Sequence, residues 1–163
     1  MCVLLWVVLA IGVLLCPAQA IDGYSQLDQS SRAGVDLVVQ QLHAHVGVHA
    51  HFLFFRSVEK SDIEAGFGAR HISHHFLLKP TTCAKGTTPA TVETCPFRND
   101  RPLMDCKVCY KMFRDEIEAE PKPYVHCIQK PKLTQMMRQS RLDRCRRMRY
   151  TNGAPTLLAS TQN

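Results

Sequence analysis

The sequence predicts an α+β domain in which one amphipathic helix precedes four antiparallel strands that disulfides tie together. Three observations lead to this prediction. Valines and leucines recur at helical spacing near the amino terminus, extended aromatic-rich runs follow Gly47, and six cysteines lie in the second half of the chain. An amphipathic helix followed only by strands is typical of the α+β class.

The helix is expected from about Leu27 to His45. Ser25, followed three residues later by Asp28, fits a capping box at its start. Gly47 follows at a place where helices often end in a left-handed residue. The apolar side chains that return to one face of this segment are Val35, Val38, Val39, Leu42 and Val46.

Extended, strand-like runs follow the helix at residues 48–58, 69–79, 103–114 and 124–129. The polar, glycine-containing residues 59–68 between the first two runs indicate a hairpin connection. Residues 80–101 are rich in Thr and Pro and include Gly86, which predicts a loop that a disulfide must hold. Residues 115–123 are acidic and then interrupted by prolines, so they also predict a connection.

Residues 1–20 carry no charged side chain, and the apolar run from Val3 to Leu15 within them is typical of a secretory signal peptide. The run is shorter than the about 20 apolar residues that a membrane-spanning helix needs. The expected division is cleavage between Ala20 and Ile21, one domain over residues 21–150, and a flexible tail over residues 151–163.

Cleavage of this leader removes Cys2 and Cys16 and leaves six cysteines in the exported chain. An even number of cysteines in an exported protein predicts disulfides. Cys106 and Cys109 need different partners, because side chains three positions apart on a strand point to opposite faces. The preferred pairs are Cys83–Cys95, Cys106–Cys127 and Cys109–Cys145, and the exchange of Cys127 with Cys145 stays open.

Metal sites are disfavoured, and no cofactor is expected. A zinc site suits an oxidised chain badly, and its ligands would include two neighbouring strand residues that point to opposite sides. The candidate zinc ligands are Cys106, Cys109, His126 and Cys127. Seven of the eight histidines lie between His43 and His75 without an accompanying carboxylate or ligand spacing. They are interpreted as half-exposed strand and helix-end residues.

Residues 121–150 contain nine Lys or Arg against the single Asp143, a formal charge of +8, whereas the rest of the chain sums to −2. The predicted basic patch consists of Lys130, Lys132, Arg138, Arg141, Arg144, Arg146, Arg147 and Arg149. Glycosaminoglycans and anionic membranes are partners that fit such a surface, and a solvated basic face is the simpler alternative. Nucleic acid is not expected, because the chain is exported and lacks a nucleic-acid motif.

Several short segments carry a family resemblance. They are Ser57-Val58-Glu59, Phe76-Leu77-Leu78-Lys79 ahead of Thr81-Thr82-Cys83, Cys106-Lys107-Val108-Cys109, and Tyr124-Val125-His126-Cys127 with its spacing to Cys145. Over about residues 27–149 the chain resembles the chemerin family of the cystatin/cathelicidin-like group. The resemblance implies a cystatin-like fold, in which a four- to five-stranded antiparallel sheet wraps one long helix, with the three preferred disulfides.

The resemblance also implies a function without catalytic residues, as a monomeric secreted precursor of a chemoattractant and adipose signal. Extracellular serine proteases trim the carboxyl terminus in that family, and the new end then binds a G-protein-coupled chemokine-like receptor. The residues assigned to processing and receptor binding are Arg147, Arg149, Tyr150, Leu157 and Leu158. Trypsin-like cleavage after Arg147 or Arg149 would remove the last three, so the new end would then bind through a different anchor. The tail of that family is richer in Phe and Tyr than this one.

Parts of the sequence bear on two further functions. A cathelicidin-like antimicrobial protein would carry its activity in residues 130–149. If residues 135–149 are helical, the apolar face of that helix, for the core or for a membrane, would consist of Met136, Met137, Leu142 and Met148. Inhibition of cysteine proteases is disfavoured, because residues 56–60, taken as the first hairpin, lack a Gln-x-Val-x-Gly pattern and the exported chain has no Trp. The sequence carries no enzyme motif, so catalysis is not expected.

Overall fold

A computed structural model describes residues 23–150, which form two α-helices and one five-stranded antiparallel sheet. The elements are α1 (Gln29–Ala44), β1 (Ala50–Gly66), β2 (Ala69–Ala84), β3 (Met104–Phe113), β4 (Glu116–Ile117), β5 (Tyr124–Gln129) and α2 (Gln135–Tyr150). The α+β class is therefore confirmed. The predicted leader, its cleavage site between Ala20 and Ile21, and the tail with Leu157 and Leu158 lie outside the described residues.

Helix α1 begins directly after Asp28, which is its N-cap. The Asp28 carboxylate accepts a hydrogen bond from the backbone N–H of Ser31 at 2.7 Å, so it satisfies one of the amide groups that a helix start leaves unpaired. The capping box that joined Ser25 to Asp28 was wrong, because Ser25 lies in a short 3-10 turn ahead of the helix. The helix ends at Ala44, close to the predicted end. The left-handed ending expected at Gly47 was wrong, because Gly47 does not have a positive φ and the C-cap His45 is extended.

The hairpin of β1 and β2 is longer than predicted. Strand β1 continues to Gly66, so most of the predicted connection at residues 59–68 is strand and only Phe67 and Gly68 form the turn. Gly66, Phe67 and Gly68 have positive φ angles of 83°, 53° and 77°, a conformation that glycine adopts without the steric cost of a side chain. Residues 56–60, taken as the first hairpin, instead lie in the middle of β1.

The sheet is ordered β1-β2-β3-β4, and β5 also pairs with β3. Strand β2 runs on to Ala84, which places residues 80–84 of the predicted loop within the sheet. Strand β5 has the predicted bounds. Strand β3 pairs with three strands, β2, β4 and β5. Its side chains project alternately to the two faces of the sheet, so they contact the elements packed on both faces.

The even-numbered residues of β3 form the core with α1, as the alternation of strand side chains requires. Cys106, Val108, Tyr110 and Met112 are all buried in this cluster. The Tyr110 hydroxyl donates a hydrogen bond to the backbone carbonyl of Ser30 at 2.6 Å, which joins the middle of the sheet to the first turn of the helix. The main hydrophobic core is therefore the layer between α1 and the sheet.

The odd-numbered residues of β3 face the opposite side, where α2 packs. Asp105 contacts Arg141 of α2, and Cys109 forms a disulfide with Cys145 of the same helix. The sheet therefore has a helix on each face, which the prediction of one helix missed. The basic segment was named as a helix only conditionally, because its apolar residues are few and its arginines hide the periodicity.

We predict that Gly34→Ala destabilises the domain by about 1–3 kcal/mol, because an added Cβ would lie 2.5 Å from the Tyr110 hydroxyl oxygen and force this contact apart. Urea unfolding followed by circular dichroism measures the loss. Gly47→Ala is the matched control, since a Cβ there meets no atom within 4 Å. Equal midpoints for the two variants would contradict the close approach of α1 to the sheet.

Candidate functional site on the C-terminal helix

The disulfides of the structure are Cys83–Cys95, Cys106–Cys127 and Cys109–Cys145. Cys106 lies directly opposite Cys127 in the β3–β5 ladder, with 4.2 Å between their Cα atoms, whereas Cys109 points toward α2. This is the pairing that the strand geometry favoured, and the exchanged arrangement is absent. The cysteines of the zinc alternative are all oxidised, and no described residues group as metal ligands.

Arg141 forms the ion pair that joins α2 to the sheet. It is only 3% exposed, and its guanidinium Nη1 donates to Asp105 Oδ1. Its Nη2 donates to the backbone carbonyl of Asp105 at 3.0 Å, and its Nε donates to His126 Nδ1 at 2.8 Å. The inclusion of Arg141 in the surface basic patch was therefore wrong, because a buried charge needs a partner and this one has it inside the protein.

Asp105 receives a second contact from the neighbouring strand. His75 Nε2 lies 2.9 Å from Asp105 Oδ1, so the expectation that no carboxylate accompanies the histidines was wrong. Burial works against ionisation of Asp105, but the hydrogen bonds and charges of His75 and Arg141 outweigh it and hold the pKa of Asp105 below its ordinary value. Asp105 is thus a buried carboxylate that links β2, β3 and α2.

His126 completes this group as a neutral acceptor. Because the Arg141 Nε–H donates to His126 Nδ1, that nitrogen carries no proton in this arrangement. Burial, together with the positive charge of Arg141, lowers the pKa of His126. Protonation of His126 would place two cations side by side at the contact between β5 and α2.

Other histidines are also more buried than predicted. His74 is fully buried with Nε2 at 2.9 Å from the Ser57 hydroxyl, and burial lowers the pKa of His74 to about 4. His71 is buried as well, so the half-exposed interpretation was wrong for both. His43 and His51 lie with ring centroids 4.5 Å apart, which couples the end of α1 to β1.

Seven members of the basic patch are exposed. They are Lys130, Lys132, Arg138, Arg144, Arg146, Arg147 and Arg149. Lys130 and Lys132 precede α2, and the five arginines within α2 spread around the helix at about 100° per residue and do not form a single stripe. The apolar side chains of the helix are similarly divided, with Met137 and Met148 half-buried and Met136 and Leu142 exposed.

The last turn of α2 carries the residues assigned to processing. Arg147, Arg149 and Tyr150 are exposed at this end, and Tyr150 is 71% exposed. The Arg149 guanidinium lies 5.8 Å from the centroid of the Tyr150 ring, at cation–π distance. The structure thus places these residues beyond both points, Arg141 and Cys145, at which α2 is tied to β3.

The fold and this site define a disulfide-tied α+β protein whose basic helix is fixed to the outer face of a sheet. Within residues 23–150, no helix has the length and apolar content that crossing a membrane requires. No protein-family model matches the chain, and no curated protein matches it.

We predict that Arg141→Met lowers the free energy of unfolding by about 3–5 kcal/mol, because it leaves the Asp105 carboxylate buried without its cation. Denaturant unfolding at neutral pH measures the change. Arg138→Met removes the same charge from an exposed position of α2 and is expected to change stability by less than about 0.5 kcal/mol. Similar losses in the two variants would contradict the internal role of Arg141.

We predict that the folded protein loses stability as pH falls from about 6.5 toward 4. The unfolded chain takes up protons on histidine near pH 6.5, whereas the folded-state pKa values of several histidines are lowered, so stability present above pH 6.5 is lost below it. These histidines are His43, His51, His71, His74 and His126. The shift of His74 alone corresponds to about 3 kcal/mol.

Urea unfolding at several pH values between 7.5 and 4 tests this dependence. His74→Gln should unfold at lower urea at neutral pH yet depend less steeply on pH, since it removes the group with the largest shift. An unchanged pH slope in this variant would contradict the buried, neutral state of His74.

Proposed function

We propose that this chain is a secreted, chemerin-like precursor whose carboxyl end is trimmed by extracellular serine proteases and then binds a G-protein-coupled chemokine-like receptor. The family resemblance of its sequence motifs motivates the proposal, and three disulfides suit an oxidising extracellular compartment. The proposed role is that of a protein ligand in chemoattraction and adipose signalling, and it requires no catalytic residue.

The proposal rests on the position of the attachment between α2 and β3 relative to the candidate cleavage positions. Arg141 and Cys145 tie α2 to β3, and both precede the candidate cleavage positions after Arg147 and Arg149. Cleavage at either position would remove only the residues that follow and would leave every described disulfide in place. A stable domain with a removable end is what a precursor of this type requires.

We further propose that the domain is cystatin-like. In support, the long helix α1 packs against one face of the sheet, and the register of the β1–β2 hairpin shifts at four places. Bulges of this kind bend and twist a strand pair, so they allow a sheet to curve around a helix. The helix on the opposite face is an addition to the simple arrangement of one helix and one sheet.

An antimicrobial role is the second candidate, and the seven exposed cations of the basic segment favour it. A membrane-active helix also needs a continuous apolar face that it can present to lipid. In this domain α2 is fixed by the Cys109–Cys145 disulfide and the Arg141–Asp105 ion pair, and Met137 and Met148 are half-buried. The receptor-ligand role is therefore the preferred proposal.

We predict that limited trypsin digestion of the oxidised protein cuts after Arg149 or Arg147 before it cuts within the sheet, because these residues lie at an exposed helix end and helix ends open most readily. Intact mass spectrometry identifies the product. Arg147→Gln/Arg149→Gln should lose this early product, and Arg32→Gln, in α1, should keep it. Early cleavage within β1 to β5 would contradict the proposal.

We predict that a series of proteins truncated between residues 147 and 163 contains at least one form that drives receptor signalling and cell migration more strongly than the full chain. The new carboxyl end is the proposed receptor-binding element, so activity should depend on the final residues and not on the domain. Chemokine-like receptor assays measure it. Silence throughout the series, with all three disulfides intact, would refute the receptor-ligand role.

A further inference from the structure

A cleft lies between α2 and the start of β5, on the face of the sheet away from α1. Its volume is about 440 Å³, and its lining consists of Lys122, Pro123, Tyr124, Arg144, Arg147 and Met148. The cleft is shallow and open to solvent. Three of the lining side chains are cationic, and none is acidic.

The cations of this cleft come from two separate parts of the chain. Lys122 belongs to the connection before β5, whereas Arg144 and Arg147 lie three residues apart on α2, on the same side of the helix. The Cys109–Cys145 disulfide holds the intervening turn of α2 at a fixed distance from the sheet. The disulfide therefore fixes the part of the α2 backbone from which Arg144 and Arg147 project.

Arg144 is also oriented by its neighbour. Its guanidinium lies 5.7 Å from the centroid of the Tyr124 ring, at the distance of a cation–π contact. A guanidinium presents paired N–H donors that suit planar or tetrahedral oxyanions. The Tyr124 ring therefore lies beside the donor group of Arg144 and favours this placement.

We propose that this cleft binds sulfated polysaccharide of the glycosaminoglycan class. A flexible chain of sugars can enter a concave site and place sulfate oxygens on cations that approach from two sides. Lipid contact is the weaker match, because the apolar lining residues Tyr124 and Met148 are half-buried and a membrane-binding helix needs exposed apolar side chains. This proposal rests on the proposed extracellular role, which brings the protein into contact with such polymers.

The cleft differs from the rest of the basic segment. Lys130, Lys132 and Arg138 lie toward the other end of β5 and the beginning of α2. Arg138 and Arg147 are nine positions apart, which corresponds to about 14 Å along a helix. These distal cations supply a matched control, because their removal changes the net charge by the same amount without altering the cleft.

The test measures binding of a labelled heparin tetrasaccharide to the oxidised, full-length mature protein at about 0.15 M salt, by fluorescence anisotropy. Lys122→Gln/Arg144→Gln/Arg147→Gln should raise Kd at least about tenfold, since charge-assisted hydrogen bonds are lost. Lys130→Gln/Lys132→Gln/Arg138→Gln should raise it less than about threefold. Equal losses, or no loss in the cleft variant, would overturn the proposal.

Two more measurements test whether the tetrasaccharide binds in the cleft and whether lipid competes for the same site. Tyr124→Phe keeps the ring and should bind as the original does, whereas Tyr124→Leu should weaken binding about threefold, because Arg144 loses the ring that orients it. Vesicles of phosphatidylcholine and phosphatidylserine should bind weakly and should not displace the tetrasaccharide. Effective displacement by these vesicles, or equal binding by the two Tyr124 variants, would contradict the cleft as the site.

This binding assay contains no receptor, so its outcome is separate from that of the receptor proposal. Truncated forms that fail to signal but still bind the tetrasaccharide would refute only the receptor role. Signalling forms that bind no tetrasaccharide would refute only the polysaccharide site.

Discussion

The attachment of α2 to β3 is the constraint on which the functional half of this protein depends. It has two parts within one helical turn, the Cys109–Cys145 disulfide and the buried contact of Arg141 with Asp105. The disulfide restricts the unfolded chain, and the ion pair sets orientation because a buried guanidinium has few geometries that satisfy its donors. Without these contacts, the arginine-rich helix α2 would gain little free energy from packing against the sheet.

The spacing of residues along β3 explains why both contacts exist. Side chains alternate between faces, so Cys106 and Cys109 leave the strand on opposite sides. Cys106 meets Cys127 across the ladder in the α1 core, whereas Cys109 and Asp105 share the face that α2 covers. A single strand thus organises two layers, a conventional apolar core and a polar one with its charges satisfied internally.

Much of this arrangement could be predicted from the sequence, and the failures have physical causes. The periodicity of Val35, Val38 and Leu42 predicted α1, and the parity of Cys106 and Cys109 limited the disulfides, because both signals depend on local geometry. The predicted β1–β2 hairpin was too short, because exposed strand residues are as polar as loop residues.

The burial of Arg141 was missed for a different reason. Nothing in its sequence context distinguishes it from Arg138 or Arg144, and only the tertiary position of Asp105 makes it an internal residue. The same limit applies to His75, whose carboxylate partner lies thirty positions away in the chain. The cleft around Arg144 also combines separate segments, so composition indicated its charge but could not indicate its shape.

These features divide the protein into a fixed domain and an end that can be removed from it. The domain includes α2 as far as Cys145, and the proposed processing positions follow at the exposed end of the helix. The cleft of Lys122, Arg144 and Arg147 includes the first of these positions. Binding of a matrix polysaccharide and formation of the new receptor-binding end would then take place at the same end of α2.

Non-reducing peptide mapping of the mature protein tests the attachment of α2 most directly. Trypsin cleavage after Lys107 separates Cys106 from Cys109, so each cysteine is found in its own linked peptide. The account predicts that the peptide with Cys109 is joined to the one with Cys145, and that the peptide with Cys106 is joined to the one with Cys127. A link between Cys106 and Cys145, or free thiols at these positions, would contradict it.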